Sequence, residues 1–291
     1  MDPIVNPTRT RRILEKYGFA FKKSLGQNFL IDPNILRVIS AQAELDASTG
    51  VIEVGAGIGT LTEELAKQAG RVLSFEIDQR LIPILEETLK PYSNIKLIYQ
   101  DVLKADVKHL AKKWLKGLPH IKVVANLPYY VTTPILTHLL ENGPSFEAMV
   151  IMVQKEVAQR LLAKPGTKDY GSLTVFVQYY LEPHFYKVIP RQVFIPQPHV
   201  DSALLKLIRR QEPPVKVVDE PFFFQMVRAC FAKRRKTLLN NLLPFAGEDQ
   251  KEPLLKLLAD LAISPQARGE SLSIEQFAAL ANALYPILQP R

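Results

Sequence analysis

An asparagine, a proline and a tyrosine stand almost side by side in VVANLPYYVTT, Val123 to Thr133, where a β-branched run stops. Asn126 offers a neutral carbonyl acceptor. Pro128 removes a backbone donor and stiffens the turn, so that the Asn126 side chain and the Leu127 carbonyl can face one point. Tyr129 adds a flat face. Two acceptors and a ring fit an exocyclic amino group, whose two N–H donors need partners and whose heterocycle needs a surface to stack on. An aromatic amine is a weak nucleophile because its lone pair is delocalised into the ring. Acceptors that favour a pyramidal nitrogen localise that pair and interact more strongly as positive charge develops. No strong base is required, since the alkylated nitrogen is acidic and can lose its proton afterwards. Taken alone, a strand-to-loop turn with an incidental tyrosine accounts for these residues about as well.

A second cluster supplies a place for a ligand. VIEVGAGIGTLTEEL puts Gly55, Gly57 and Gly59 directly after one β-branched run and before a helix-like pattern. Glycines there permit a tight turn and a close approach of ligand to main chain, at the edge where open α/β sheets bind ligands. The third glycine comes one residue too early for a dinucleotide fingerprint, so pyrophosphate binding is a poor match. Glu76 ends the next strand in VLSFEID, where a carboxylate can accept both hydrogen bonds of a ribose diol. Asp101, in YQDVLKAD, ends the third strand and can accept from an adenine amino group or cap a helix.

These positions need a parallel sheet. From residue 50, GVIEVG, RVLSFEI, NIKLIYQ, IKVVAN and EAMVIMV alternate with amphipathic helix-length stretches, which implies crossover connections. HFYKVIP and SALLKLIRR follow, joined by the irregular RQVFIPQPHVD, and read as an antiparallel addition at one edge. RRQEPPVKVVDEP then marks a boundary. Beyond it PFFFQMVRACFAKRRKTLLNNLLPF, QKEPLLKLLADLAI and SIEQFAALANAL read as helices. The expected organisation is an α/β domain over residues 1–210 and a small all-helical domain over 211–291.

Composition narrows the partners. At 291 residues, with 47% hydrophobic and 23% charged, the chain suits one large core plus a smaller one. The net charge of +8 favours an anionic polymer as partner, although solubility alone would also explain it. One cysteine, Cys230, excludes an internal disulfide and fits a reducing, cytoplasmic setting. The five histidines lack ligand spacing, so no metal is expected. No signal-peptide or membrane-span pattern is evident.

KSLGQNFL (Lys23 to Leu30), EVGAGIGTLT, FEID, QDVLKAD, ANLPYYVTTPIL and VFIPQPHVDSALLKL, in that order, resemble the motifs of the S-adenosylmethionine-dependent ribosomal RNA adenine N6,N6-dimethyltransferases, the bacterial small-subunit enzymes associated with kasugamycin sensitivity. The resemblance covers nearly the whole chain, with no departure at a motif position. It implies a Rossmann-like class I methyltransferase sheet, mostly parallel with an antiparallel edge strand, plus the helical tail. It also implies that Asn28 and Leu30 lie beside the methionine end of S-adenosylmethionine, with Gln27 nearby and Gly55 and Gly57 in the turn beneath. Glu76 would hold the ribose and Asp101 the cofactor adenine. Asn126 would make both cofactor-side and target-side contacts, and with Leu127, Pro128 and Tyr129 would receive the target adenine, Phe194 closing its opposite face; from the residues alone Phe194 is equally an apolar loop anchor. The implied target is a pair of adjacent adenosines in the 3′-terminal hairpin loop of 16S rRNA in the small (30S) subunit, with the protein a monomer.

Two basic concentrations suit RNA: Arg9, Arg11, Arg12, Lys16, Lys22 and Lys23 near the start, and Arg228, Lys233, Arg234, Arg235 and Lys236 in the tail. Adjacent cations in FAKRRKTLLNNL, read as lacking an acidic partner, would be relieved by a polyanion. The rivals are a large-subunit (23S) adenine methyltransferase of the macrolide-resistance type, a mainly non-catalytic assembly factor on the same fold and, more remotely, an NAD oxidoreductase.

Overall fold

Asn6 opens the first helix, its Oδ1 accepting from the amides of Thr8 and Arg9 at 2.9 and 3.4 Å, and Pro7 takes a position where the missing N–H costs nothing. The computed structural model describes residues 3–22 and 25–288. This helix, α1 (Pro7–Lys16), is followed by the short β1 (Phe29–Leu30) and by α2 (Pro33–Ala43), capped by Asp32. Alternation then sets in: β2 (Thr49–Val54), α3 (Thr60–Gln68), β3 (Arg71–Phe75), α4 (Ile82–Thr88), β4 (Ile95–Ile98), α5 (Val107–Trp114), β5 (His120–Asn126), α6 (Thr132–Asn142), β6 (Ala148–Gln154) and α7 (Lys155–Leu162). Next come α8 (Ser172–Tyr180), β7 (Leu181–Ile189), β8 (Phe194–Ile195) and β9 (Ser202–Arg209), then α9 (Glu220–Cys230), α10 (Leu238–Ala246), α11 (Lys251–Asp260) and α12 (Ile274–Leu288).

Seven strands form one sheet in the order β4-β3-β2-β5-β6-β9-β7. β2 pairs in parallel with β3 and β5, β3 with β4, and β5 with β6, whereas β9 runs antiparallel to β6, from Ala148↔Ile208 to Gln154↔Ser202. The mostly parallel sheet with an antiparallel addition is the architecture the alternation predicts. All six residues of β2 are buried, as expected of a strand covered on both faces. Because β2, β3, β4 and β5 are parallel, the residues at or just past their ends emerge along one edge. Gly55, Glu76, Asp101 and Asn126 are those residues.

β2 also carries a buried acid. Glu53 is fully buried, its Oε2 accepts from Thr62 Oγ1 at 2.7 Å and Ser74 Oγ at 2.6 Å, and its Oε1 has no partner among the described residues. Burial pushes its carboxyl up to about 7, against the two hydroxyls that favour the charged form. With the folded value above the unfolded one, the native state binds the extra proton between about pH 4.5 and 7, and stability falls as pH rises through that window. Glu53→Gln is expected to remove this dependence. It should match wild type near pH 5 and exceed it near pH 8 by up to about 3 kcal/mol, read from unfolding curves at the two pH values.

The chain divides into two compact units, Met1–Ala158 with His184–Arg209, and Gln159–Pro183 with Arg210–Arg291. A single boundary near residue 210 therefore misses one segment, residues 159–183, which groups with the tail. Aromatic packing is the reason: the Phe176 and Phe224 rings lie 5.0 Å apart, and the Tyr179 and Tyr180 hydroxyls donate to the two oxygens of Glu220 at 3.1 and 2.8 Å. The tail also departs from expectation where PFFFQMVRACFAKRRKTLLNNLLPF was read as one helix. It breaks into α9 and α10 around a turn clamped by buried Asn241, whose Nδ2 donates to the carbonyls of Cys230 at 2.9 Å and Lys233 at 3.1 Å, and whose Oδ1 accepts from the Lys233 amide at 3.1 Å.

Candidate functional site

A cavity of ≈ 250 Å³ opens at the edge where the parallel strands end. Gln27, Asn28, Gly55, Gly57, Glu76 and Asp101 line it, and so do Asn126, Leu127, Pro128 and Tyr129. Residues from a hundred positions of sequence thus meet because parallel strands deliver their ends to one place.

Glu76 is 6% exposed, and each of its oxygens accepts one backbone amide, Oε1 from Asp78 and Oε2 from Gly57, both at 2.8 Å. A carboxylate can accept further bonds at each oxygen, so the pair remains available to a diol. Burial raises its pKa, while the amides of Asp78 and Gly57 oppose the rise. Gly55 has φ +85°, and a Cβ there would meet only the Asn126 carbonyl, at 3.7 Å, so the turn leaves an open cradle above the main chain. Asp101 does both things its position allows: its Oδ1 caps the following turn by accepting from the Leu103 amide at 3.0 Å, and its carboxylate lines the cavity. An adenosine with two strand-end carboxylates and a glycine cradle beneath it fits these residues.

Asn126 uses its Nδ2 to donate to the Asn28 carbonyl at 3.2 Å. That bond fixes the amide orientation and leaves Oδ1 without a partner among the described residues. The Leu127 amide donates to Met152 at 3.0 Å, which anchors the turn to β6, and the Leu127 carbonyl accepts nothing among the described residues. The Pro128 carbonyl, by contrast, is taken by the Val131 amide at 3.2 Å and Thr132 Oγ1 at 3.0 Å. Two unfilled acceptors therefore stand at the cavity beside the Tyr129 ring. Burial raises the Tyr129 phenol pKa, and its oxygen sits 2.6 Å from Oγ of buried Ser202, the first residue of β9.

Leu30 and Phe194 do not line the cavity. They pair with each other across the short β1–β8 ladder, at 5% and 2% exposure, and both enter the core with Ile35, Val124 and Leu204. Each is a large apolar group with a core to enter, and in this arrangement Phe194 anchors its loop; the cofactor contact at Leu30 and the second stacking face at Phe194 stand as proposals. Gln27 reaches the cavity, and its Nε2 donates to Asp78 Oδ2 at 2.6 Å. Ile77 and Leu103 line the cavity and were not anticipated. Ile77 is 48% exposed, and the signal the sequence offers for it is only its place directly after Glu76 at a strand end.

Among the basic residues, Arg11, Arg12 and Lys22 are exposed and Arg9 is partly buried on α1, while Lys23 lies outside the described residues. Arg228 and Lys233 to Lys236 are exposed at the end of α9 and on the clamped turn. Arg234 is paired with Glu270 at 3.4 Å and also donates to the Lys168 carbonyl, so the run does have an acidic partner. Among the described residues no group of His, Cys, Asp and Glu is arranged to hold a metal ion, and no helix is long and apolar enough to cross a membrane.

Residues 18–285 match the family model described as ribosomal RNA adenine dimethylase. The chain is 60% identical over 288 residues to a ribosomal RNA small subunit methyltransferase A of Geobacillus sp. (strain WCH70), spanning 98% of this chain and 99% of that one. It is 56% identical over 286 residues to the protein of that name from Anoxybacillus flavithermus, spanning 98% and 97%. Among solved structures it resembles a dimethyladenosine transferase from Plasmodium falciparum, with TM-score 0.72 and 27% identity over 87% of this chain and 95% of that one. The 23S rRNA methyltransferase ErmE is also similar, with TM-score 0.64 and 31% identity over 88% and 99%. Motif order, sheet topology and a match over nearly the full length agree: the chain belongs to the ribosomal RNA adenine dimethylase family.

Proposed function

We propose that this protein transfers methyl groups from S-adenosylmethionine to N6 of two adjacent adenosines in the 3′-terminal hairpin loop of 16S rRNA, within the small ribosomal subunit, giving N6,N6-dimethyladenosine. The observation that carries the reading is the pair of unfilled acceptors, Asn126 Oδ1 and the Leu127 carbonyl, beside the Tyr129 ring and in the same cavity as Glu76. S-adenosylmethionine supplies, when bound, a methyl group on a sulfonium centre. Glu76 would hold its ribose diol and Asp101 its adenine, with Asn28 and the Gly55–Gly57 turn against the remainder.

The protein's own part in the chemistry is placement and charge. Asn126 and Leu127 accept the two N6 hydrogens, which draws the nitrogen toward a pyramidal shape and strengthens as it becomes positive. Tyr129, braced at its hydroxyl by Ser202, stacks on the purine. The target base must leave its stack at a cost of a few kcal/mol, least in a loop, and one aromatic face returns about 1 to 3 kcal/mol. The exposed cations Arg11 and Arg12 of α1, Lys22 beyond it, Arg228 of α9, and Lys233, Arg235 and Lys236 of the clamped turn suit phosphates, and Arg9 and Lys23 belong to the same N-terminal stretch. The ribosomal substrate implies action in the cytoplasm, and the scheme needs neither a metal nor a second copy of the chain.

The likeness to ErmE favours a second reading, methylation of 23S rRNA, which the small-subunit relatives at 55–60% identity oppose. Supplying labelled S-adenosylmethionine with unmethylated small subunits, and separately with large subunits, decides between them. Label is expected as N6,N6-dimethyladenosine in the small-subunit RNA alone. Label confined to large subunits would establish the other reading, and no label on either would favour an assembly factor that has lost transfer.

A further inference from the structure

We propose that Asp78 is a positioning residue for the methyl donor, acting through a strap made by residues 19–22 and 25–28 at the wall of the cavity. The inference rests on the reading of that cavity as the donor site. Asp78 touches none of the reacting groups and is 4% exposed, yet both of its oxygens are occupied. Oδ2 accepts from Gln27 Nε2 and from Arg80 Nη2, both at 2.6 Å, and Oδ1 accepts from Arg80 Nε at 2.9 Å and the Arg80 amide at 3.2 Å. Its own amide donates to Glu76 Oε1 at 2.8 Å. One residue therefore joins the carboxylate that would hold the ribose to the segment that covers it.

The strap is tied at several points. Arg80 Nη1 donates to the Ala20 carbonyl at 2.8 Å and its guanidinium lies 4.8 Å from the centre of the Phe19 ring. Gln27 Oε1 accepts from the Lys22 amide at 2.9 Å, so the same side chain that grips Asp78 also holds the incoming chain. At the other end the Asn28 carbonyl accepts from Asn126. Leu25, Gly26, Gln27 and Asn28 line the cavity, so the strap spans from the donor side to the acceptor pair. Placing a carboxylate in a nearly closed position two residues from buried Glu76 is electrostatically unfavourable unless its bonds are all made. What those bonds secure is the orientation of the strap. Opening them would loosen that wall of the donor cavity at Gln27, while the Asn28–Asn126 bond and the Leu127–Met152 bond, which do not involve Asp78, keep Asn126 Oδ1 and the Leu127 carbonyl in place.

The test compares wild type, Asp78→Asn, Gln27→Ala and the double variant in the full chain. Three measurements are made: steady-state kinetics on unmethylated small subunits, giving kcat and the KM of donor and of subunits; the affinity for S-adenosylhomocysteine by calorimetry; and the rate of tryptic cleavage after Lys22 with no nucleoside present. For Asp78→Asn, donor KM and the S-adenosylhomocysteine Kd are expected to rise about tenfold or more, the scale of one charge-assisted hydrogen bond. In the same variant kcat at saturating donor and the KM for subunits should change less than about twofold. Cleavage after Lys22 should be faster in both single variants, and the double variant should be no worse than Asp78→Asn, because both break one latch. The proposal is overturned if kcat falls while donor KM stays fixed, if the two substitutions add, or if cleavage is unchanged. Should Asp78→Asn fail to fold, Gln27→Ala carries the same KM and cleavage expectations alone. Failure of wild type to bind S-adenosylhomocysteine would instead sink the donor-site reading itself.

Discussion

Asn126→Ala is expected to lower single-turnover methyl transfer by about 10³-fold, the scale seen when one preorganised group facing developing charge is removed. The side chain contributes an acceptor with no partner among the described residues and a bond to the Asn28 carbonyl that aims it. Alanine removes both. Because none of the cations proposed to meet RNA shares a hydrogen bond with Asn126, binding of unmethylated small subunits should be nearly unchanged. The loss should sit in the chemical step rather than in the KM of either substrate, the pattern of an interaction made only in the transition state. A loss of tenfold or less would refute the acceptor role and leave positioning by Tyr129 as the main effect.

Glu76→Ala is expected to weaken donor binding by about 10²-fold or more, since two charge-assisted hydrogen bonds to a diol are lost at a buried site. Titration calorimetry with S-adenosylhomocysteine measures it directly. Alanine also strands the amides of Gly57 and Asp78, so Glu76→Gln is the sharper variant. Glutamine keeps the shape and one acceptor, and should fall between wild type and alanine. The raised pKa of Glu76 adds a sign: acidification protonates the free protein's carboxyl sooner than an exposed glutamate, so donor affinity should decline as pH falls. Affinity that is flat in pH, with Glu76→Gln equal to wild type, would exclude the diol contact.

The legible part of this site was the part that strand ends dictate. Gly55, Glu76, Asp101 and Asn126 each follow a β-branched run, and parallel pairing forces such positions onto one edge whatever else the chain does. The setting of Leu30 and Phe194 was less legible: the two-residue strands β1 and β8 are too short to carry a periodicity that says which way a side chain turns, and both side chains enter the core. The boundary near residue 210 carries a visible proline and charge signal, but residues 159–183 join the tail through ring contacts distant in sequence, which no local pattern reports. The break between α9 and α10 depended on one buried amide, Asn241, reaching back across a turn.

The acceptor roles proposed for Asn126 Oδ1 and the Leu127 carbonyl, neither of which has a partner among the described residues, carry a consequence for turnover. A primary amine brings two hydrogens and satisfies both oxygens; its singly alkylated form brings one; the dialkylated base brings none. Each round thus leaves the pocket with one more stranded lone pair, and the finished nucleotide is the species it grips least. Such a site counts its own progress, and needs no separate device to eject what it has made.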